Sequence, residues 1–261
     1  MDGLFIAKRS IAAPFKMWRL VLRAILPMLP FFVLAVIARF PFDSAADYDR
    51  LHPARLGAQV LLWVGIGLFE WNWLGLLREP QSSWRDRLCG QKSAVIAFVT
   101  VSWVLLGIFS LIEPVQAFVQ SYDPIVNHVG EKIYYATSFR TAGLCLLLWI
   151  VLCWLRLRLL LWPVDIFASG RPTLPSNSWR MTRRQLRELV FMVIAIAVSI
   201  GTVGGLIIGM GYAVLGKISY VIGFPALLWY FAALDHAFLE CHRELQPGAR
   251  GTNPILAAAQ S

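Results

Sequence analysis

The sequence predicts an all-α protein, a polytopic membrane bundle of six transmembrane helices. Three observations lead there. Hydrophobic residues make up 58% of the chain and charged ones only 15%, with a mean hydropathy of +0.62. The apolar residues gather into six runs, each about as long as a bilayer core requires. Positive charge also alternates along the chain, dense in one set of connections and sparse in the other. Soluble domains carry about a quarter charged residues, and a chain this apolar would expose large apolar patches to water.

A spanning helix needs about 20 mostly apolar residues, because each residue rises 1.5 Å through a hydrocarbon layer roughly 30 Å thick. The six runs lie near 20–38, 56–77, 93–112, 141–163, 189–212 and 218–239. Their length and the absence of strict alternation favour helices over barrel strands. The first run is too long for the apolar stretch of a signal peptide and lacks a small-x-small cleavage site, so it reads as a span. Residues 1–245 are thus expected to form one six-span domain, and residues 246–261 a short flexible cytoplasmic tail.

Basic residues orient the bundle. Lys8, Arg9, Lys16, Arg19 and Arg23 precede or open the first run, and Arg78, Arg85, Arg87 and Lys92 lie between the second and third. Arg156 and Arg158 close the fourth run, Arg171, Arg180, Arg183, Arg184 and Arg187 lie between the fourth and fifth, and Arg243 and Arg250 follow the sixth. Of the 24 lysines and arginines, only Arg39, Arg50, Arg55, Lys132, Arg140 and Lys217 fall in the alternate connections. By the positive-inside rule both termini are cytoplasmic. The opposite face is near charge balance, and its connection "EPVQAFVQSYDPIVNHVGEKIYYATSFR" is long enough for a short amphipathic surface helix. The last outer connection is so short that the fifth and sixth helices are expected to be antiparallel neighbours.

A repeated element marks the cytoplasmic entrances. Trp18-Arg19, Trp84-Arg85 and Trp179-Arg180 each follow a proline by four residues, at Pro14, Pro80 and Pro175; "PQSSWR" and "PSNSWR" are closer still. The implied unit is an interfacial helix followed by a two-helix hairpin, used three times. Proline suits a helix's first turn, Ser83 or Ser178 can satisfy free backbone donors there, and Trp with Arg suits headgroup depth. Arg180, Arg183, Arg184 and Arg187 recur at helical spacing, as in a basic amphipathic helix on anionic lipid. Interfaces favour these residue types in any case, so convergence competes with duplication as the explanation.

The stretch from Arg156 to Gly201 resembles the signature region of the YciC-like proteins and of the membrane domain attached to some bacterial glycerophosphoryl diester phosphodiesterases. Arg156, Arg158, Pro163, Ser178, Trp179, Thr182 and Arg183 carry the resemblance, whereas Arg184 stands where glycine is expected. The resemblance implies a bacterial inner-membrane protein and an architecture rather than an activity. No phosphodiesterase domain accompanies it.

Candidate chemistry is sparse. HExxH, GxSxG and Walker A patterns are absent, and four cysteines without CxxC spacing suggest neither a disulfide framework nor zinc. "LDHAFLECHRE" places His236 and Glu240 four apart, yet a polar helix end accounts for it, and no metal or other cofactor is expected. Glu70 stands roughly 6 Å past the middle of the second run and Asp235 roughly 10 Å past that of the sixth. With Arg156 and Arg158 at matching depth, they form a candidate intramembrane polar cluster, either structural or functional. Ala197, Gly201, Gly205 and Gly209 make a small-residue stripe suited to close helix packing, within the chain or between copies.

These features point to a non-enzymatic inner-membrane protein acting through helix packing, anionic-lipid contact or association with a membrane partner. A transporter-like or lipid-handling protein using the charged cluster is the alternative. Nucleic acid is not expected as a partner, since no stacking platform accompanies the basic segments.

Overall fold

Proline placement and the six apolar runs set most helix boundaries in the computed structural model, which describes residues 2–39, 53–110, 124–129, 132–137, 139–183, 185–215 and 219–245. The elements are α1 (Gly3–Lys16), α2 (Trp18–Ile25), α3 (Leu29–Arg39), α4 (Pro53–Arg78), α5 (Trp84–Gly90) and α6 (Lys92–Ser110). There follow β1 (Pro124–Val129), β2 (Lys132–Thr137), α7 (Phe139–Leu159), α8 (Trp162–Ser169), α9 (Pro175–Thr182), α10 (Leu186–Leu215) and α11 (Ser219–Leu245).

Among the described residues the regular structure is helical apart from one hairpin. A helix occupies each of the six apolar runs, but fewer meet the requirements of a span. Among the described residues, Val60–Arg78 and Leu146–Ser169 are long and apolar enough to cross a membrane. Two bent pairs qualify only if each counts as one span: Trp18–Ile25 with Leu29–Ala35, bent by 62°, and Trp84–Gly90 with Lys92–Leu105, bent by 95°. The structure therefore supplies two to four candidate spans where the sequence suggests six. The fifth and sixth runs fall on α10 and α11, whose side-chain surroundings lie largely outside the described residues between 201 and 223.

The first run is not one straight helix. Pro27 has no N–H for the carbonyl of Arg23, four residues earlier, and its ring crowds that carbonyl. The chain breaks between α2 and α3, and Asn72 of α4 supplies the missing donor: its Nδ2 reaches the carbonyls of Arg23 at 3.1 Å and Ala24 at 3.3 Å. The fourth run also stops early. α7 ends at Leu159, and Pro163 sits in the first turn of α8, where a missing N–H costs nothing. Gly170 closes α8 with φ 66°, its N–H donating to the Ile166 and Phe167 carbonyls.

The described part of the outer connection is a hairpin, and the expected amphipathic helix finds no test there because residues 111–123 lie outside the described residues. β1 and β2 pair antiparallel from Pro124↔Thr137 to Val129↔Lys132. The β-branched and aromatic residues Ile125, Val126, Val129, Ile133, Tyr134 and Tyr135 favour extended backbone. Residues 40–52, 111–123 and the 246–261 tail lie outside the described residues.

The buried core gathers at one end of the bundle. It comprises the last turns of α4 (Phe69, Trp71, Trp73, Leu74), the start of α6 (Ala94, Phe98), α8, the start of α10 and the end of α11. Trp71 is wedged edge-on between Phe98 and Phe167, with ring centroids 5.4 and 5.1 Å away. Indole N–H groups cross-link this end: Trp73 donates to the Ala232 carbonyl and Trp229 to that of Ile11. Away from it, large apolar side chains are exposed, among them Val33 and Leu34 on α3, Leu146 and Ile150 on α7, and Ile194 and Val198 on α10. In water such a surface would drive aggregation; hydrocarbon solvates it.

Candidate functional site

The last turns of α4 carry an acid into the core. Glu70 stands between the fully buried Phe69 and Trp71 and is itself only 7% exposed. It lines a cavity of about 50 Å³ with Ser102 of α6, Arg156 of α7 and Asp235 of α11; Leu105, Pro163 and Phe238 are among its apolar walls. Ser102 hydrogen-bonds to the Glu70 carboxylate, and Arg156 attracts it. Arg156 also interacts with Tyr230. Asp235 is close enough to Glu70 for their charges to repel, and its Oδ2 is buried with no hydrogen-bond partner. The volume holds about three waters, and the polar lining can bind them.

Three of the four residues grouped from the sequence thus meet in one cavity, and the fourth does not. Arg158 follows Arg156 by two residues, a turn of roughly 200° around the helix axis, and points to a different neighbour. Its guanidinium lies over the rings of Trp154, at 5.5 Å, and Trp179, at 5.2 Å. Ser102 escaped sequence reasoning because a serine inside an apolar run is ordinary; only its position opposite Glu70 singles it out.

The Ser-Trp-x-x-Thr pattern proves to be a clasp on α7. Ser178 and Thr182, four apart on one face of α9, are fully buried, and their hydroxyls donate to the Arg158 carbonyl at 2.8 and 3.3 Å. That carbonyl belongs to the last turn of α7, where helical partners run out. Ser178 is therefore not a helix-start cap; it satisfies a helix end. Trp179, expected at the lipid interface, packs edge-on against Trp154 at 5.0 Å as well as over Arg158, and is only partly exposed.

The other Trp-Arg pairs lie at the surface. Trp18 is 55% exposed and Trp84 36%, with Arg19 and Arg85 folded over their rings at 5.5 and 5.4 Å. Ser83 is the N-cap of α5, accepting from the Asp86 amide and donating to its carboxylate. The three prolines have unlike roles: Pro14 lies late in α1, Pro80 in a turn, and Pro175 in the first turn of α9. Arg180 and Arg187 do not share one basic helix, because α9 ends at Thr182 and α10 begins at Leu186. Arg180, Arg183 and Arg187 are each exposed, and Arg184 lies outside the described residues.

Two polar groupings give no strong signal in the sequence. Asn72 is 0% exposed; besides its two donated bonds it accepts from Arg87 Nε at 2.9 Å and Nη2 at 2.6 Å. Arg87 Nη1 in turn donates to the Ser82 carbonyl, so one network joins the α2–α3 break, α4 and α5. Burial and the nearby Arg23 press the Arg87 pKa downward, opposed by Glu79 and Asp86. The second grouping belongs to "LDHAFLECHRE", whose members face separate partners. His236 Nδ1 lies 2.9 Å from Ser10 Oγ, Glu240 lies near Arg9 and Arg243, and His242 Nε2 lies 3.3 Å from Asp165 Oδ1. Of the small-residue stripe, Ala197 is half-buried on α10; Gly201, Gly205 and Gly209 continue that helix, but their surroundings lie outside the described residues.

Comparison with protein-family models, with curated proteins and with solved structures finds no match to this chain.

Proposed function

We propose that this chain is a non-enzymatic inner-membrane protein that binds anionic lipid through its short Trp-Arg helices, with both termini cytoplasmic and relatives among the YciC-like proteins. The observation that carries this reading is the pairing of exposed Trp18-Arg19 and Trp84-Arg85 on α2 and α5, which turn away from the helices that follow by 62° and 95°. A short helix bent out of line with an apolar one lies where headgroups meet hydrocarbon, and there Trp and Arg are both well solvated. The neighbouring α1 fits the same surface. Its outer side presents Leu4, Phe5 and Phe15 together with Lys8 and Lys16, all exposed. That combination suits an anionic bilayer surface.

The test compares the wild-type chain with W18A/R19A/W84A/R85A in nanodiscs of neutral lipid and of neutral lipid mixed with phosphatidylglycerol. Wild type is expected to gain thermal stability from the anionic lipid, and the variant to lose most of that gain. Equal gains in both proteins would remove the reading.

A further inference from the structure

The cavity between α4, α6, α7 and α11 holds a charge imbalance that lipid docking does not use. Glu70 and Asp235, 7% and 6% exposed, share it with one guanidinium, that of Arg156. With both carboxyls ionised, the three groups sum to one negative charge in a region walled by Leu105, Leu160, Phe231 and Phe238. A buried uncompensated charge is strongly disfavoured, so either a group neutralises or a counter-charge enters.

The two acids are not equally provided for. Glu70 has the Ser102 hydroxyl and the attraction of Arg156. Asp235 lines the same cavity with Oδ2 buried and unpartnered. Among the described residues, the neighbouring titratable groups His236, Glu240 and His242 of α11 meet partners elsewhere. His236 meets Ser10 of α1, Glu240 meets Arg9 of α1 and Arg243, and His242 meets Asp165 of α8. From α10 the neighbour is Met192, whose sulfur accepts from Cys241. Tyr230 stands beside Arg156.

We infer that this cavity is a binding site for one unit of positive charge at Asp235, either a proton or a small monovalent cation carried with water. Asp235, Glu70 and Ser102 supply oxygen ligands, and the volume admits the waters that would complete a cation's shell. A divalent ion fits less well, because Arg156 already places a positive charge in the same cavity. The inference stands on the cavity alone and is independent of lipid docking.

Thermal unfolding of the purified full chain in detergent tests it, since a ligand that binds only the folded state raises Tm. Two series are needed: sodium or potassium replacing choline at constant pH and ionic strength, and mild acidification in choline alone. Wild type is expected to rise by about 3 °C in one of them as the site fills. A rise with sodium or potassium assigns a metal cation, and a rise only with acid assigns a proton. Asp235→Asn and Glu70→Gln each bring the remaining charges to zero, so each is expected to flatten that response; either one serves if the other fails to fold. Arg156→Gln leaves two acids uncompensated and is expected to enlarge it. A wild type indifferent to both series, or a response undiminished in the foldable acid variants, would overturn the assignment.

Discussion

At the scale of single residues, Asn72 shows how a helix break inside an apolar run is made tolerable. Pro27 deprives the Arg23 carbonyl of its helical donor, and packing against α4 limits the water that could replace it. Asn72 donates to that carbonyl and to Ala24's while accepting from Arg87, so one amide of α4 ties α2 to α5. Asn72→Leu keeps the volume and removes both functions, leaving buried carbonyls and a half-buried guanidinium without their partner. The expected loss is about 2–4 kcal/mol, read as a lower midpoint in equilibrium unfolding. Asn72→Asp keeps the acceptor but removes the donor, so it should recover only part of that loss. Wild-type midpoints in both variants would show that the break is held by other means.

At the scale of elements, α9 and α1 are docked by different means, and each means is testable. α9 is eight residues long, too short to be stable by itself. Ser178 and Thr182 clasp it to the end of α7, while Trp179 covers Arg158. S178A/T182V is expected to cost about 1–3 kcal/mol locally and to speed tryptic cleavage at the exposed Arg180 and Arg183; an unchanged cleavage rate would mean that the Trp179 stack alone suffices. α1 docks by close approach. A side chain at Gly3 would run into the Glu188 backbone, and Ser10 meets His236 in a buried contact. Gly3→Val should therefore lift the start of α1 from α10, read as faster amide exchange over residues 3–10 with little change in α4. α1 was illegible in the sequence for a physical reason. The face that packs inward holds Gly3, Ile6, Ala7, Ser10, Ala13 and Pro14, whereas the outward face mixes Leu4, Phe5 and Phe15 with Lys8 and Lys16. The larger apolar side chains thus stand mostly on the outer face and small residues on the inner one, so hydrophobic periodicity does not reveal which face packs. Helix α4 was legible because length alone decides it: 56–77 is expected and 53–78 is found. In the site, Glu70 and Asp235 stand out because an acid is rare in an apolar run. Arg158 was misassigned because depth along a helix says nothing of direction around it.

At the scale of the whole molecule, the basic connections come together at one end. Arg23 donates to the Pro80 carbonyl, Arg9 lies near Glu240, Gly3 donates to Glu188, and Asn177 of α9 reaches Asp165, which meets His242. These contacts join α1, α2, the α4–α5 turn, α8, α9 and the near ends of α10 and α11. Helix α4 extends roughly 39 Å at 1.5 Å per residue, more than a hydrocarbon core is thick. Its far end, near Pro53, should therefore emerge on the opposite side from Arg78, and under the proposed orientation the Arg78 side is expected to be cytoplasmic. Cys89, exposed on α5, reports that side if Cys145, Cys153 and Cys241 are replaced by Ser, Ser and Ala. In that background a membrane-impermeant maleimide is expected to label Cys89 in inside-out vesicles and not in intact spheroplasts. Asn127→Cys, placed in β1 with Cys89 also removed, is expected to show the reverse. Labelling of both positions from one side would mean that the hairpin and α5 share a face. The charge pattern would then report lipid affinity without reporting orientation.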